Sequence, residues 1–173
     1  MNGYDLPSVG PHGTARPRPV VVSSVSSDSH TWNLVYLQLV VQELGHPVVN
    51  LGPCVPDELL IGECAELRPS LVVISSVNGN GYQDGRRLIT SLRRDPRLAT
   101  TPVVIGGKLG ISGGESQARL DELRAAGFDE VFEEGTGDID AFRRYLETLP
   151  TPHATPATAG TPADAGRVVS WAG

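Results

Sequence analysis

Aromatic side chains, cysteine and positive charge are all scarce in this sequence, and no long apolar run occurs. Each shortage excludes something. Only 5% of the 173 residues are Phe, Trp or Tyr, so the core must be aliphatic. The two cysteines, Cys54 and Cys64, cannot build the disulfide framework of a small secreted domain, and a reducing cytoplasm is the expected compartment. Lys and Arg number 14 against 20 Asp and Glu, a net charge of −6 with no basic block. Nucleic acid and anionic membranes are therefore not expected partners. No apolar stretch approaches the ~20 residues of a membrane span. Met1 to Gly13 lack a basic region followed by an apolar one, so no signal peptide is expected. A barrel enzyme of ~250 residues cannot fit in this length.

What is abundant is glycine and proline, 20 and 14 residues. Much of the proline falls at the two ends. Residues 1–18 and 150–173 are rich in Gly, Pro, Ala and Thr and have no apolar periodicity. They offer too little apolar surface to offset ordering entropy, and both are expected to be disordered tails around one domain, residues 19–149.

Between the tails, short β-branched runs alternate with helical patterns. The strands expected are Val20–Ser24, Pro47–Leu51, Leu71–Ser75, Pro102–Ile105 and Glu130–Phe132. The helices expected are Thr31–Leu44, Asp57–Leu67 with Pro56 at its first position, Gln83–Arg94, Glu115–Ala126 and Asp138–Leu149. Gly45 and Gly127 stop two of them and Pro150 ends the last. Five such units predict an α/β fold: a flavodoxin-like or Rossmann-like, doubly wound parallel sheet of order 2-1-3-4-5, with helices on both faces. Ligands of such sheets bind outside the carboxyl ends of the strands, beside strand 1.

The loops at that end are built from small residues. Loop 1 runs Ser26-Ser27-Asp28-Ser29-His30-Thr31-Trp32-Asn33, and loop 3 runs Ser75-Ser76-Val77-Asn78-Gly79-Asn80-Gly81. Loop 4 opens on Gly106-Gly107-Lys108, and loop 5 contains Gly135-Thr136. Lys108 is the one cation in them, and no nucleoside-triphosphate loop pattern occurs. A large ligand could lie close to such backbone, with hydroxyls on its polar edges.

Asp28 and His30 form an Asp-x-His pair at the mouth of strand 1. A neutral imidazole can ligate a metal through one nitrogen while its other N–H bonds a carboxylate. The competing reading is a loop histidine making a local capping bond. Zinc needs three or four ligands. The other histidines, His12, His46 and His153, lie in tails or at a helix end, and the cysteines fit a packed or surface role. A metal held by a macrocycle needs only one protein ligand, which this loop supplies.

Asp28-Ser29-His30, Ser75-Ser76-Val77 and Gly106-Gly107, in that order on five α/β units, resemble the cobalamin (B12)-binding domain family. The likeness is strongest to the small cobalamin-binding subunits of glutamate mutase (methylaspartate mutase). Further similar stretches are Val49-Asn50-Leu51-Gly52, Pro56 with Glu58-Leu59, Gly79 with Gly81, and Gly135-Thr136. The resemblance covers about residues 19–148. It implies adenosylcobalamin as cofactor, with His30 as cobalt ligand and Asp28 on its far nitrogen. The cofactor's nucleotide tail would enter between the sheet and a helix. Ser75, Val77 and Gly79 would line its pocket, Gly106 and Gly107 would let it pass close to strand 4, and Gly135 and Thr136 would close the other side; Ser27, Ser29, Thr31 and Ser76 complete the implied cofactor-binding set. It also implies an enzyme role as the cobalamin-carrying isomerase component of a carbon-skeleton mutase interconverting L-glutamate and threo-3-methylaspartate, inactive without a large barrel-type subunit. A stand-alone corrinoid carrier or sensor, and a cofactor-free flavodoxin-like interaction domain, are the alternatives.

The chain departs from the family pattern where the motif's last glycine becomes Asn33. Asn tolerates left-handed backbone and could replace Gly there. If the glycine instead makes room, Asn33 and Trp32 would crowd the tail. The Arg86-Arg87 and Arg93-Arg94 pairs read as solvated helix faces, with Arg86 a possible partner contact. Trp32 would shield the corrin, touch a partner, or simply pack.

Overall fold

The computed structural model describes residues 17–110, 116–133 and 138–150. The two expected tails therefore lie almost entirely outside the described residues, as do Gly135 and Thr136. The strands are β1 (Val20–Ser24), β2 (Val48–Gly52), β3 (Leu71–Ser76), β4 (Val103–Gly107) and β5 (Glu130–Glu133). The helices are α1 (Trp32–Glu43), α2 (Asp57–Leu67), α3 (Gly81–Leu92), α4 (Ser116–Ala126) and α5 (Asp138–Glu147). They alternate along the chain, and the sheet is wholly parallel with order β2-β1-β3-β4-β5. Both the fold class and the strand order agree with the sequence reading.

Strand geometry explains the two cores. Successive side chains point to opposite faces. Val20, Val22, Leu71, Val73 and Val104 pack under α1 and α5 with Leu34, Val41, Phe142 and Leu146. Val21, Val72, Ile74, Val103 and Ile105 pack on the other face with Leu60, Leu88, Ile89, Leu92 and Leu123, from α2, α3 and α4. The sheet is thus covered on both faces, which is why β1 and β3 read as unbroken apolar runs.

Local boundaries differ from the sequence reading in instructive ways. Helix α3 starts at Gly81, two residues before the expected Gln83, because the Tyr82 N–H is taken by the Leu109 carbonyl at 2.9 Å. Pro56 is the N-cap of α2, with φ −57° and ψ 142°, and not its first helical residue. Strand β4 runs on through Gly106 and Gly107, so the double glycine ends a strand and does not open a loop. Arg93 is not a solvated residue. Its guanidinium donates to the carbonyls of Gly127, Leu98 and Thr101 and to Asp129, tying α3 to the chain before β4 and before β5. Among the described residues no helix is long and apolar enough to cross a membrane.

The cysteines separate by burial. Cys54 is exposed, whereas Cys64 lies fully buried on α2. Burial, with a smaller contribution from Glu63, pushes the Cys64 thiol up to about 12. The thiolate is the reactive form. A thiol reagent at pH about 8, near the ordinary thiol range, is therefore expected to label the native protein at Cys54 only. Cys54→Ser should abolish native labelling, and denaturant should restore a reactive thiol at Cys64. Equal labelling of both thiols without denaturant would contradict this packing.

Candidate functional site

The parallel register places small side chains in one row at the carboxyl end of the sheet. Ser24 pairs with Ser75, Ser75 with Gly106, and Gly106 with Phe132. Above this row, Asp28 is the anchor of the site. Its carboxylate is fully buried. Oδ1 accepts the His30 backbone N–H at 3.1 Å and lies 2.7 Å from His30 Nδ1. Oδ2 accepts the backbone N–H groups of Val77 at 2.5 Å and Asn78 at 3.2 Å. The Asp28 carbonyl in turn accepts the Ser24 hydroxyl at 2.8 Å and the Cys54 N–H at 3.0 Å. One residue thus joins the loops that follow β1, β2 and β3.

Burial alone would raise the Asp28 carboxyl. The bonds from Val77 and His30 outweigh it and hold the group below the ordinary carboxylate range. An ionised Asp28 only accepts, so His30 Nδ1 carries the proton of that hydrogen bond. The His30 side chain is 48% exposed. The site therefore presents one oriented imidazole outside the strand ends. Among the described residues no three His, Cys, Asp or Glu side chains converge to hold a metal ion.

Ser27 ties this loop to α3: its hydroxyl donates to Asp84 at 2.5 Å, and Asn78 Nδ2 donates to its carbonyl and its Oγ, both at 3.0 Å. Arg87 completes the rim by bonding Asp57, Asp84 and Ser26. Neither Ser24 nor Arg87 belongs to the Asp-x-His reading. A hydroxyl ending the fully buried β1 was the one sequence signal for Ser24.

Beside the pair lies a cavity of about 310 Å³ between the sheet and helices α1 and α5. Its walls are Val73, Ser75, Val77, Val104, Gly106, Gly107 and Phe132 on the sheet side, Asn33 and Leu37 from α1, and Ile139 and Phe142 from α5. The rings of Phe132 and Phe142 meet edge to face, 5.6 Å between centroids. Asn33 is helical and so is not a left-handed substitute for glycine. It is 5% exposed, its Nδ2 donates to Ser75 Oγ at 2.7 Å, and its Oδ1 is buried without a partner.

Not every expected residue reaches this cavity. Ser76 alternates to the opposite face, where its hydroxyl donates to Asn78 Oδ1 at 3.2 Å. Gly79 lies against Gly110 and not in the cavity wall. Ser29 and Thr31 are exposed in the first loop, Thr31 as the N-cap of α1. Trp32 is 66% exposed and opens α1.

A single imidazole with a carboxylate behind it, a glycine-floored apolar cavity and a buried amide oxygen without a partner suit a metal macrocycle carrying an aromatic appendage. The model of the B12 binding domain matches residues 18–143. The chain belongs to the B12-binding domain family. Glutamate mutase sigma subunit 1 of Haloarcula marismortui is 26% identical over 137 residues, covering 79% of this chain and 89% of that protein. The glutamate mutase sigma subunit of Halobacterium salinarum is 30% identical over 131 residues, covering 74% and 87%. A solved cobalamin-binding protein from Desulfitobacterium hafniense has TM-score 0.59 at 20% identity, over 76% of this chain and 59% of that longer one. That likeness speaks for the fold. Within this B12-binding domain, the residues around Asp28, His30 and the α1–α5 cavity are those suited to a corrinoid and its tail.

Proposed function

We propose that this chain is the cobalamin-binding small subunit of a two-component, adenosylcobalamin-dependent carbon-skeleton mutase of the glutamate mutase type, working in the cytoplasm. The cofactor domain is taken as residues 19–149. The observation that carries the reading is the buried Asp28 bonded to a half-exposed His30 beside an apolar cavity. When bound, adenosylcobalamin supplies the homolytic cobalt–carbon cleavage on which such rearrangements depend. His30 Nε2 would hold the cobalt, with Asp28 fixing the ring and keeping the proton on Nδ1. Ser75, Val77, Gly106 and Gly107 line the space for the nucleotide tail, and the family resemblance adds Gly135 and Thr136 to that set, outside the described residues. The apolar walls keep water out. Ser27, Ser29, Thr31, Ser76 and Gly79 shape the loops around the corrin.

Nothing in these residues reads glutamate or 3-methylaspartate. The substrate cavity is therefore assigned to a larger, barrel-type partner subunit. An apolar stripe on α1 supports such a partner: Trp32, Val35, Tyr36 and Leu39 are between 47% and 66% exposed, and Trp32 and Tyr36 also border the cavity. Apolar stripes of this kind are what partner chains cover.

Titration of the isolated chain with adenosylcobalamin, followed by absorbance, tests the reading. A saturable spectral change is expected in wild type. His30→Ala should lose the signature of imidazole coordination and bind about tenfold or more weakly. The isolated chain should show no mutase turnover, and addition of the partner subunit should restore it. Absence of any spectral change would leave a cofactor-free interaction domain. Binding without turnover in the presence of the partner would favour a carrier or sensor.

A further inference from the structure

The loop that carries His30 is fastened from two sides. On the inside, Asp28 ties it to the loop after β3. On the outside, the tie runs through Arg87 on α3. Ser26 is half-buried and Ser27 exposed, so the turn before Asp28 has little apolar packing and depends on hydrogen bonds for its place. We propose that Arg87 is a positioning residue for the imidazole: it sets the place of the His30 loop, and so how completely the ring coordinates a bound corrinoid. The inference rests on the chain being a corrinoid binder, as argued above.

The guanidinium is 52% exposed, yet each of its three nitrogens donates. Nε and Nη2 meet the Asp57 carboxylate, in the first turn of α2, at 2.8 and 3.3 Å. Nη1 meets Asp84, in the first turn of α3, at 2.6 Å. Nη2 also donates to the Ser26 hydroxyl at 2.8 Å. Asp84 carries the tie further, because its other oxygen accepts the Ser27 hydroxyl at 2.5 Å. One side chain thus holds both residues that precede Asp28, the first directly and the second through Asp84.

Electrostatics make Arg87 hard to replace. The Asp57 and Asp84 side chains are only 17% and 14% exposed, and they share this one guanidinium. Without it two carboxylates face each other, and their repulsion displaces the acceptor of Ser27. A lysine restores the charge but lacks the planar fork that reaches three partners at once. Groups that orient a metal ligand from behind commonly change metal affinity by about tenfold or more.

The full chain would be titrated with adenosylcobalamin at low and high salt, following absorbance. Wild type is expected to show the imidazole signature throughout its bound cofactor. Arg87→Ala should bind about tenfold more weakly, and part of its cofactor should lack the signature even at saturation. Arg87→Lys should recover some of both losses. Ser27→Ala should give the same spectral change with Arg87 in place, and the double variant should lose less than the product of the two single effects. Salt at about 0.5 M should bring wild type toward Arg87→Ala and move that variant by less than about twofold. Arg94→Ala removes the same charge from an exposed position just past α3 and should bind as wild type does. Thermal melts should lie within about 4 °C of wild type, since exposed ion pairs contribute little. If Arg87→Ala does not fold, Arg87→Lys and Ser27→Ala decide the matter. A full signature in folded Arg87 and Ser27 variants, or an equal loss in Arg94→Ala, overturns this proposal and leaves corrinoid binding standing. No spectral change in wild type overturns the functional reading and this one together.

Discussion

Replacing Asp28 with alanine is expected to lower the stability of the folded chain by about 3–4 kcal/mol and its melting temperature by about 10 °C. The size follows from what the carboxylate does. It is fully buried, and its oxygens accept the N–H groups of His30, Val77 and Asn78 as well as the His30 ring nitrogen. Removing it leaves the Val77 and Asn78 donors at the end of β3 without an acceptor. Asp28→Asn keeps the shape, but its amide group must face either the Val77 N–H or the imidazole, so a loss of about 2 kcal/mol is expected. His30→Ala should change stability by less than about 1 kcal/mol, because a half-exposed ring releases one bond to water. The contrast is the test. Chemical denaturation of the three variants should rank Asp28→Ala far below His30→Ala. If both lose equally little, the carboxylate is not the clamp the geometry describes. The loop that holds the ligand would thus depend on the residue behind it more than on the ligand itself.

That clamp was only half legible in the sequence. Asp-x-His announces a carboxylate behind an imidazole, since the two residues share one loop. The same spacing says nothing of Val77 and Asn78, which meet Asp28 only because β1 and β3 pair in register. Strand order was readable for a related reason: unbroken β-branched runs between helical patterns admit few parallel arrangements. The start of α3 was not, because its Tyr82 N–H is satisfied by Leu109 across the β4 loop and no local signal records that bond. Arg93 misled in the same way. Its partners are mostly backbone carbonyls, which every residue has, so the sequence offers no complementary charge to reveal them. Asn33 is the clearest case. A propensity argument weighs its backbone tolerance, whereas the structure uses its side chain, paired with a serine distant in sequence and near in space.

Gly107→Ala should be the most damaging single methyl addition at the site, with a stability loss of about 3 kcal/mol. Gly107 has φ +99°, a conformation that side chains rarely adopt, and a β-carbon there would come 2.4 Å from the Ser76 carbonyl oxygen. The obstacle is backbone, and it cannot rotate aside: Ser76 and Gly107 are register partners in the β3–β4 ladder. Relief requires the end of β4 to separate from β3. Gly107 and Gly106 border the cavity, so the same shift should weaken corrinoid binding by about tenfold or more. Gly106→Ala is the control. Its φ is ordinary, and its β-carbon would approach Phe132 at 3.2 Å, so a loss of about 1 kcal/mol is expected. Denaturation and absorbance titration of the two variants separate the effects. Equal stability losses would mean that contact with Phe132, and not the left-handed backbone, sets the requirement for glycine. A Gly107→Ala protein as stable as wild type would show that the strand end yields, and the cavity floor would then be softer than its hydrogen-bonded register implies.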